Sequence, residues 1–387
     1  MTGRTLTIMV AVLLTAADAQ AQTLRFSGFG DFVFGAVGGS KADPTATQKF
    51  ATFGSDPDPV NTNRGFGVTG TDFVVLADMT EEVTFLGEIN FQTGRGGSSE
   101  IEVDVERFFV NYQIDPRFNL QAGLFFTPIG YNNRFLYARA WLMNSIQVPD
   151  FFEEELNLFP THSIGVAAHG ELALGNGHRL AYIVSASNGR PHTPDSAVYA
   201  RDYSSNKEIT GLVEWLIPGF RDSRVGASGW FGNIDSVRVG GLGDVVVGTA
   251  DRLELSERGV DLYLIVNHRW FGINAEFVRS NQSERIGSGS YITKGGMIEA
   301  SGRLLEGTLH PYVRFDQTTL PEDGGPYLSL REVEGGFTRV YVPDFKAVMT
   351  GAAYDLNQHV RVKAEYIRHL AGPRERHGAA FQMAFGF

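Results

Sequence analysis

Gly378-Ala379-Ala380-Phe381-Gln382-Met383-Ala384-Phe385-Gly386-Phe387 closes the sequence on an alternation, with Phe381, Met383, Phe385 and Phe387 on one side and small or polar residues on the other. Successive side chains of a strand point to opposite faces, so the stretch reads as a β-strand with one large apolar face. Left at an edge in water, such a strand invites aggregation. It is stable where that face meets hydrocarbon and its backbone is paired on both sides.

The same period-two pattern recurs through the chain. Val360, Val362, Ala364 and Tyr366 alternate with Arg361, Lys363 and Glu365; Val260, Leu262, Leu264 and Val266 alternate with Asp261, Tyr263 and Asn267. Sixteen such runs begin near Leu24, Phe66, Val83, Glu106, Asn119, Ser163, Arg179, Glu208, Arg224, Arg258, Trp270, Gly295, Thr308, Phe345, His359 and Gly378. The connections sort into two kinds. Long ones run from Gly39 to Gly65, Pro128 to His162, Asp235 to Ser256 and Pro321 to Val342, and they alternate with tight turns such as Asp115-Pro116-Arg117 and Asp355-Leu356-Asn357. A soluble sandwich has no reason to sort its loops this way, whereas a membrane barrel has short periplasmic turns and long outer loops. The expected fold is all-β: a transmembrane antiparallel β-barrel of about 16 strands. One stretch resists it. Ile101 to Arg107 alternates out of phase with Phe108, Val110 and Tyr112, which calls for a bulge or for a strand rising beyond the membrane.

The opposite end reads as an export signal over residues 1–21. Arg4 supplies a positive charge, Leu6 to Ala17 an apolar run too short to span a bilayer, and Ala19-Gln20-Ala21 a small-x-small cleavage site before Gln22. Residues 22–387 then form one barrel domain. The chain has no cysteine, so stability cannot come from disulfides. Its net charge of −11 argues against a nucleic-acid partner. After the signal no apolar run is long enough for a membrane helix, which leaves strands as the only way to cross.

The terminal Phe387, with Phe381, Met383 and Phe385 at alternate places before it, resembles the last strand of outer-membrane β-barrel proteins. The resemblance implies that this strand is read by the barrel-assembly machinery. The strand count and a longest third outer loop extend the likeness to porins, in which that loop folds inward and narrows the channel. The run Gly123-Leu124-Phe125-Phe126-Thr127-Pro128-Ile129-Gly130 is also similar to a strand end in the phosphate-selective porins. The lysine- and arginine-rich pore that such a likeness implies is not evident here. The resemblance further implies a homotrimer in the outer membrane of a Gram-negative bacterium, in contact with lipid and lipopolysaccharide, and no cofactor.

Loop 128–162 is therefore the candidate constriction, carrying Arg134, Arg139, Asp150, Glu153, Glu154 and Glu155. If apolar faces meet lipid, the alternate residues line the lumen. The wall then holds the acids Asp31, Asp72, Asp78, Glu88, Glu171, Glu214, Asp261, Glu276, Glu299, Asp316 and Glu365. Its bases are Arg25, Arg107, Arg224, Arg303, Arg314, Arg361 and Lys363. Because wall acids outnumber bases, the expectation is a general diffusion pore with mild cation preference. The bland alternative is that these charges pair across strands and only stiffen the wall. Trp141, Trp215, Trp230, Trp270, Tyr112 and Tyr366 are candidates for interfacial girdles. Asp56-Pro57-Asp58-Pro59 is a weak divalent-cation motif, and no histidine pair has metal-ligand spacing. No Gly-x-Ser-x-Gly elbow or phosphate loop points to an enzyme. The rival readings are an anion- or phosphate-selective porin, a non-conducting structural barrel, and a lipid-hydrolysing barrel.

Overall fold

The computed structural model describes residues 23–38, 64–93, 101–136, 140–152, 157–190, 207–220, 222–238, 252–321, 325–328, 330–333, 336–339, 344–370 and 376–387. The proposed signal segment and Asp56-Pro57-Asp58-Pro59 lie outside the described residues.

Sixteen antiparallel strands close into one barrel. The first eight are β1 Thr23–Gly38, β2 Arg64–Asp78, β3 Val83–Thr93, β4 Ile101–Asp115, β5 Phe118–Phe126, β6 His162–Gly175, β7 His178–Ser187 and β8 Glu208–Leu216. The remaining eight are β9 Arg224–Arg238, β10 Arg252–Asn267, β11 Phe271–Glu284, β12 Ser290–Gly302, β13 Leu309–Thr319, β14 Phe345–Asp355, β15 Val360–His369 and β16 Arg376–Gly386. Each pairs with its chain neighbours, and β16 returns to β1. A separate small hairpin, Leu330–Val333 with Gly336–Arg339, lies in the connection before β14.

Every strand read from the sequence is present, most with a start shifted by a few residues. The shift at β4 explains the phase problem. β4 starts at Ile101, and its register with β3 jumps from Glu88↔Arg107 to Ile89↔Val105. Glu106 is the extra residue of a bulge, so Val103 and Val105 stay on the outer face with Phe108 and Val110 while Glu106 turns inward and is buried.

The seam between the ends is closed by the alternation that opened the sequence. Phe385 pairs with Gly30, Met383 with Phe32 and Phe381 with Phe34. Phe387 exchanges two backbone hydrogen bonds with Gly28, at 2.9 and 3.0 Å. A Cβ on Gly28 would stand 2.6 Å from the Phe387 ring, so glycine is what lets that ring lie flat on β1. Phe381, Met383 and Phe387 point outward and are exposed, as are Val260, Leu262, Val313 and Tyr366. Glu257, Asp261, Glu276 and Lys363, at the alternate positions, are buried inside. The outer surface is thus a hydrocarbon-facing band and the interior polar.

The turns at one end are short and locally bonded. After β4, Asp115 accepts hydrogen bonds from the Arg117 Nε (2.7 Å) and backbone N–H (2.9 Å). The charged Arg117 bond holds the Asp115 carboxyl down near its lower limit, at about 2. Arg303, expected on the wall, sits one residue past β12 in such a turn, where it donates to Asn267 Oδ1 at 2.7 Å. Of the expected girdle aromatics, Tyr112, Trp215, Trp270 and Tyr366 are on the outer face. Trp230 is instead inside and only 3% exposed, because β9 turns it to the loop that enters the barrel, where it packs on Phe159. Trp141 belongs to that loop.

Candidate functional site: the third loop and the wall it meets

The connection from β5 to β6 enters the barrel and crosses it. Its neck is tied on itself: Thr127 N–H donates to Thr161 O (2.9 Å), and Asn133 Nδ2 bridges Thr127 O and Thr161 O at 2.9 and 3.0 Å. Thr127 and Ser163 hydroxyls lie 2.8 Å apart. A loop inside a barrel leaves the regular ladder, and its buried backbone groups need partners. The wall supplies them in three places.

At the first, Glu276 on β11 accepts three hydrogen bonds at Oε2, from Tyr131 N–H (3.2 Å), Asn132 N–H (2.9 Å) and Asn132 Nδ2 (2.6 Å). Gly130 makes this approach possible. Its φ is +61°, and a Cβ there would lie 2.0 Å from Glu276 Oε1. Gly130 N–H donates to Ser228 Oγ at 3.3 Å. Asp261 lies beside Glu276 and is fully buried.

The second contact is ionic. Arg314 on β13 is bidentate to Asp316 (2.9 and 2.8 Å) and reaches the loop at Ser145 Oγ (2.5 Å), Gln147 O (2.6 Å) and Val148 O (3.2 Å). Lys363 on β15 donates to Ala140 O and to Ser145 O (2.8 Å). Glu365 accepts from Ile146 N–H at 3.0 Å and from Tyr312 OH at 2.6 Å. Asn144 donates to Glu299 at 2.9 Å, and Arg361 to Met143 O at 3.3 Å.

The third is apolar. Ile129, Phe151, Phe152, Leu158 and Phe159 of the loop form one cluster with Trp230, Ile234, Leu255, Val278 and Met297 of the wall. Leu320, Tyr327 and Leu328, from the connection after β13, complete it. Arg190 holds the top of this cluster. It donates to the carbonyls of Asn157 and Leu158 and to Glu257 Oε1 (2.9 Å), with its guanidinium 4.8 Å above the Tyr327 ring.

On the facing wall, β2 to β8, several of the inner charges bond within the wall. Arg107 on β4 bonds Glu88 on β3, and Asn90 Nδ2 donates to Asp72 at 3.0 Å. His162 Nε2 and Glu106 Oε2 are 2.9 Å apart. Glu214 on β8 accepts from Tyr263 OH (2.8 Å) and Arg224 (3.3 Å), with Arg134 of the loop 3.9 Å away. Near the short-turn end Arg25–Asp78 and Arg179–Glu171 are exposed pairs.

All the strand-borne wall candidates on the sequence-derived inventory lie on the inner side except Arg303. Asp31 accepts from Gln382 at 2.5 Å. Of the proposed constriction residues, Arg134 is at the loop–wall contact, and Asp150 opens the short turn Asp150–Phe152. Arg139, Glu153, Glu154 and Glu155 lie outside the described residues. Reading the sequence for charge missed the neutral residues that join loop to wall, Asn132, Asn144, Ser145, Gln147 and Tyr312, and Asn133, which ties the loop's neck. It also missed Arg190. Two traces of them were there to read. Phe151-Phe152 and Leu158-Phe159 are apolar pairs that a solvated loop would not carry, and Asn132-Asn133 and Asn144-Ser145 flank the segment between them.

No family model matches the sequence, and no curated protein matches it. Solved structures do. A loop-deletion mutant of OmpT, an outer membrane protein of Vibrio cholerae, is similar over 94% of this chain and 99% of its own, with a TM-score of 0.59 at 11% identity. The anion-selective porin of Comamonas acidovorans matches over 94% and 99% with a TM-score of 0.59 at 10% identity. The outer membrane channel DcaP of Acinetobacter baumannii matches over 94% and 97% with a TM-score of 0.59 at 11% identity. At such identities the likeness speaks for the fold alone: this chain has the closed sixteen-strand β-barrel fold of outer-membrane porins and channels.

Proposed function

We propose that the protein is a passive diffusion channel for small hydrophilic solutes, with residues 128–162 as its constriction. The observation that carries this reading is the path of the loop. It crosses the lumen and is fastened to the wall from β9 to β16 by Glu276, Glu299, Arg314, Lys363 and Glu365, while the β2 to β8 wall keeps polar side chains of its own. On this reading a narrowed water-filled lane runs beside the loop.

Selectivity depends on which charges meet that lane. A count of wall acids favours cations, but the acids are the covered partners. Side-chain exposure is 15% for Arg107 against 2% for Glu88, and 14% for Arg224 and 15% for Arg134 against 3% for Glu214. In these pairs the guanidinium is the less covered partner, and this favours the anion-preferring alternative over mild cation preference. The outward Phe381, Met383 and Phe387 fit recognition by an assembly machinery, and a homotrimer remains part of the proposal.

The test is single-channel recording of the purified, refolded protein in a planar bilayer under a salt gradient. Stable steps with a reversal potential of anion sign support both parts of the reading. A cation-sign potential would keep the channel and overturn the selectivity. Silence from folded protein would overturn the channel and favour the structural or lipid-hydrolysing barrel.

A further inference from the structure

Four oxygen-bearing side chains stand together on the inner wall at the long-loop end of β7 and β8. Ser185 and Ser187 flank Ala186 on β7, and Glu208 and Thr210 flank the outward Ile209 on β8. Ser187 is directly paired with Glu208, and Ser185 with Thr210. Cross-strand neighbours of this kind have Cβ atoms about 5 Å apart, and alternate residues of one strand lie about 7 Å apart. The four therefore bound one small rectangle. All are buried, none more than 2% exposed. Ser185 Oγ, Ser187 Oγ, Thr210 Oγ1 and Glu208 Oε1 have no hydrogen-bond partner among the described residues.

The next acid along the wall is fully engaged. Glu257 on β10 is paired with Gly232 of β9 and accepts at Oε1 from Arg190, Ser280 Oγ and Gln282 Nε2, each at 2.9 Å. Arg190 directs its terminal N–H groups to Glu257 and to the Asn157 and Leu158 carbonyls. Two acids and one guanidinium leave one negative charge over. Glycine sets where it stands: a Cβ on Gly232 would lie 3.3 Å from Glu208 Cβ and Cγ, and one on Gly189, at φ +77°, 3.5 Å from Glu208 Cβ. The Glu208 stem is thus packed against both glycines.

A buried carboxylate without a partner is costly, and buried hydroxyls without one add to the cost. Water would satisfy the hydroxyls and leave the charge. A cation does both, because hydroxyl lone pairs and a carboxylate oxygen are ligands of a hard ion. Calcium takes about six to eight oxygens, more than this rectangle offers. One carboxylate with three neutral oxygens matches a small ion of single positive charge.

We propose that Glu208, with the hydroxyls of Ser185, Ser187 and Thr210, binds a sodium-sized monovalent cation inside the wall. The ion neutralises Glu208, ties β7 to β8 through side chains as well as backbone, and stabilises the wall beside the Arg190 clamp on the loop. Binding is independent of whether the lumen conducts.

The test uses the full barrel folded in detergent at about pH 8, above the ordinary carboxylate range. Its thermal midpoint is followed as sodium chloride replaces N-methylglucamine chloride at constant ionic strength. The wild-type midpoint rises with sodium and saturates. Glu208→Gln, which keeps the shape and removes the charge, abolishes the rise. Thr210→Val raises the half-saturating sodium concentration about tenfold, as loss of one contact to a charged group does. Glu306→Gln, in the turn after β12, responds as the wild type does. A wild-type midpoint indifferent to sodium would overturn the proposal and leave water in the rectangle. So would a sodium response that survives in Glu208→Gln. A sodium-independent midpoint that falls with rising pH in the wild type but not in Glu208→Gln would also overturn it, by placing a proton on Glu208 instead.

Discussion

The two halves of the lumen use charge in different ways. From β9 to β16 the inner charges bond to the loop: Glu276, Arg314, Lys363 and Glu365 each satisfy backbone or side-chain groups of residues 130–148. From β2 to β6 they bond within the wall, as in Glu88–Arg107 and Asp72–Asn90, while Glu214 on β8 bonds across to Arg224 and Tyr263. The covered half is therefore a scaffold whose charges are bought by burial of the loop, and on the proposed reading the facing half is the surface a solute meets. A lumen-facing charge says little about permeation until its cover is known.

This division can be broken most severely at Arg314. Replacing it with alanine leaves Asp316, which is fully buried, without its cation, removes the Arg314 donor from Val148 O and leaves Gln147 O with the Ser145 hydroxyl. Breaking such a buried pair costs about 3–5 kcal/mol. The expected result is a clearly lower thermal midpoint in detergent, with larger and noisier conductance as the loop detaches. Unchanged conductance in a folded variant would detach Arg314 from the constriction.

At Glu276 two substitutions separate hydrogen bonding from charge. Glu276→Ala strands three donors of the loop and should cost about 2–3 kcal/mol. Glu276→Gln keeps an acceptor for them and turns an amide N–H toward Asp261, so it should stay within about 1 kcal/mol of wild type. A Gln variant as unstable as the Ala variant would mean that the negative charge itself is needed. Gly130→Ala attacks the same contact through the backbone. At φ +61°, with a Cβ 2.0 Å from Glu276 Oε1, it should cost about 1–3 kcal/mol and alter conductance. A wild-type thermal midpoint would show that the loop can move aside freely.

How far the sequence carries this argument differs between wall and loop. The strands were legible because period-two alternation is written into each of them and lipid enforces it; a slip of one residue would put Arg361, Lys363 and Glu365 into hydrocarbon. The Glu106 bulge was legible as a break in phase, though not its cause. The direction of the loop was carried only by a resemblance, since no period marks a chain that crosses a lumen. Its partners were not legible, because Asn132 and Glu276 are 144 positions apart and meet only once the barrel has closed. The count of wall acids is incomplete for the same reason: composition records that Glu88 and Glu214 face inward, but not that Arg107, Arg134 and Arg224 bond or approach them.

The smallest expected change in stability sharpens the comparison most. Arg107→Gln keeps a donor for Glu88, so the thermal midpoint should move by no more than about 1 kcal/mol in stability. Arg107 is nevertheless the more exposed partner of its pair, and on the channel reading its charge is the one a permeating ion meets. The reversal potential in a salt gradient should therefore shift toward cations. The matched substitution on the covered wall, Arg361→Gln, should leave the reversal potential where it was, because Arg361 is engaged with Asp355 at 2.5 and 3.0 Å and with the loop at Met143 O. If the two variants shift the potential equally, the loop does not divide the lumen into scaffold and lane, and both walls face the same water.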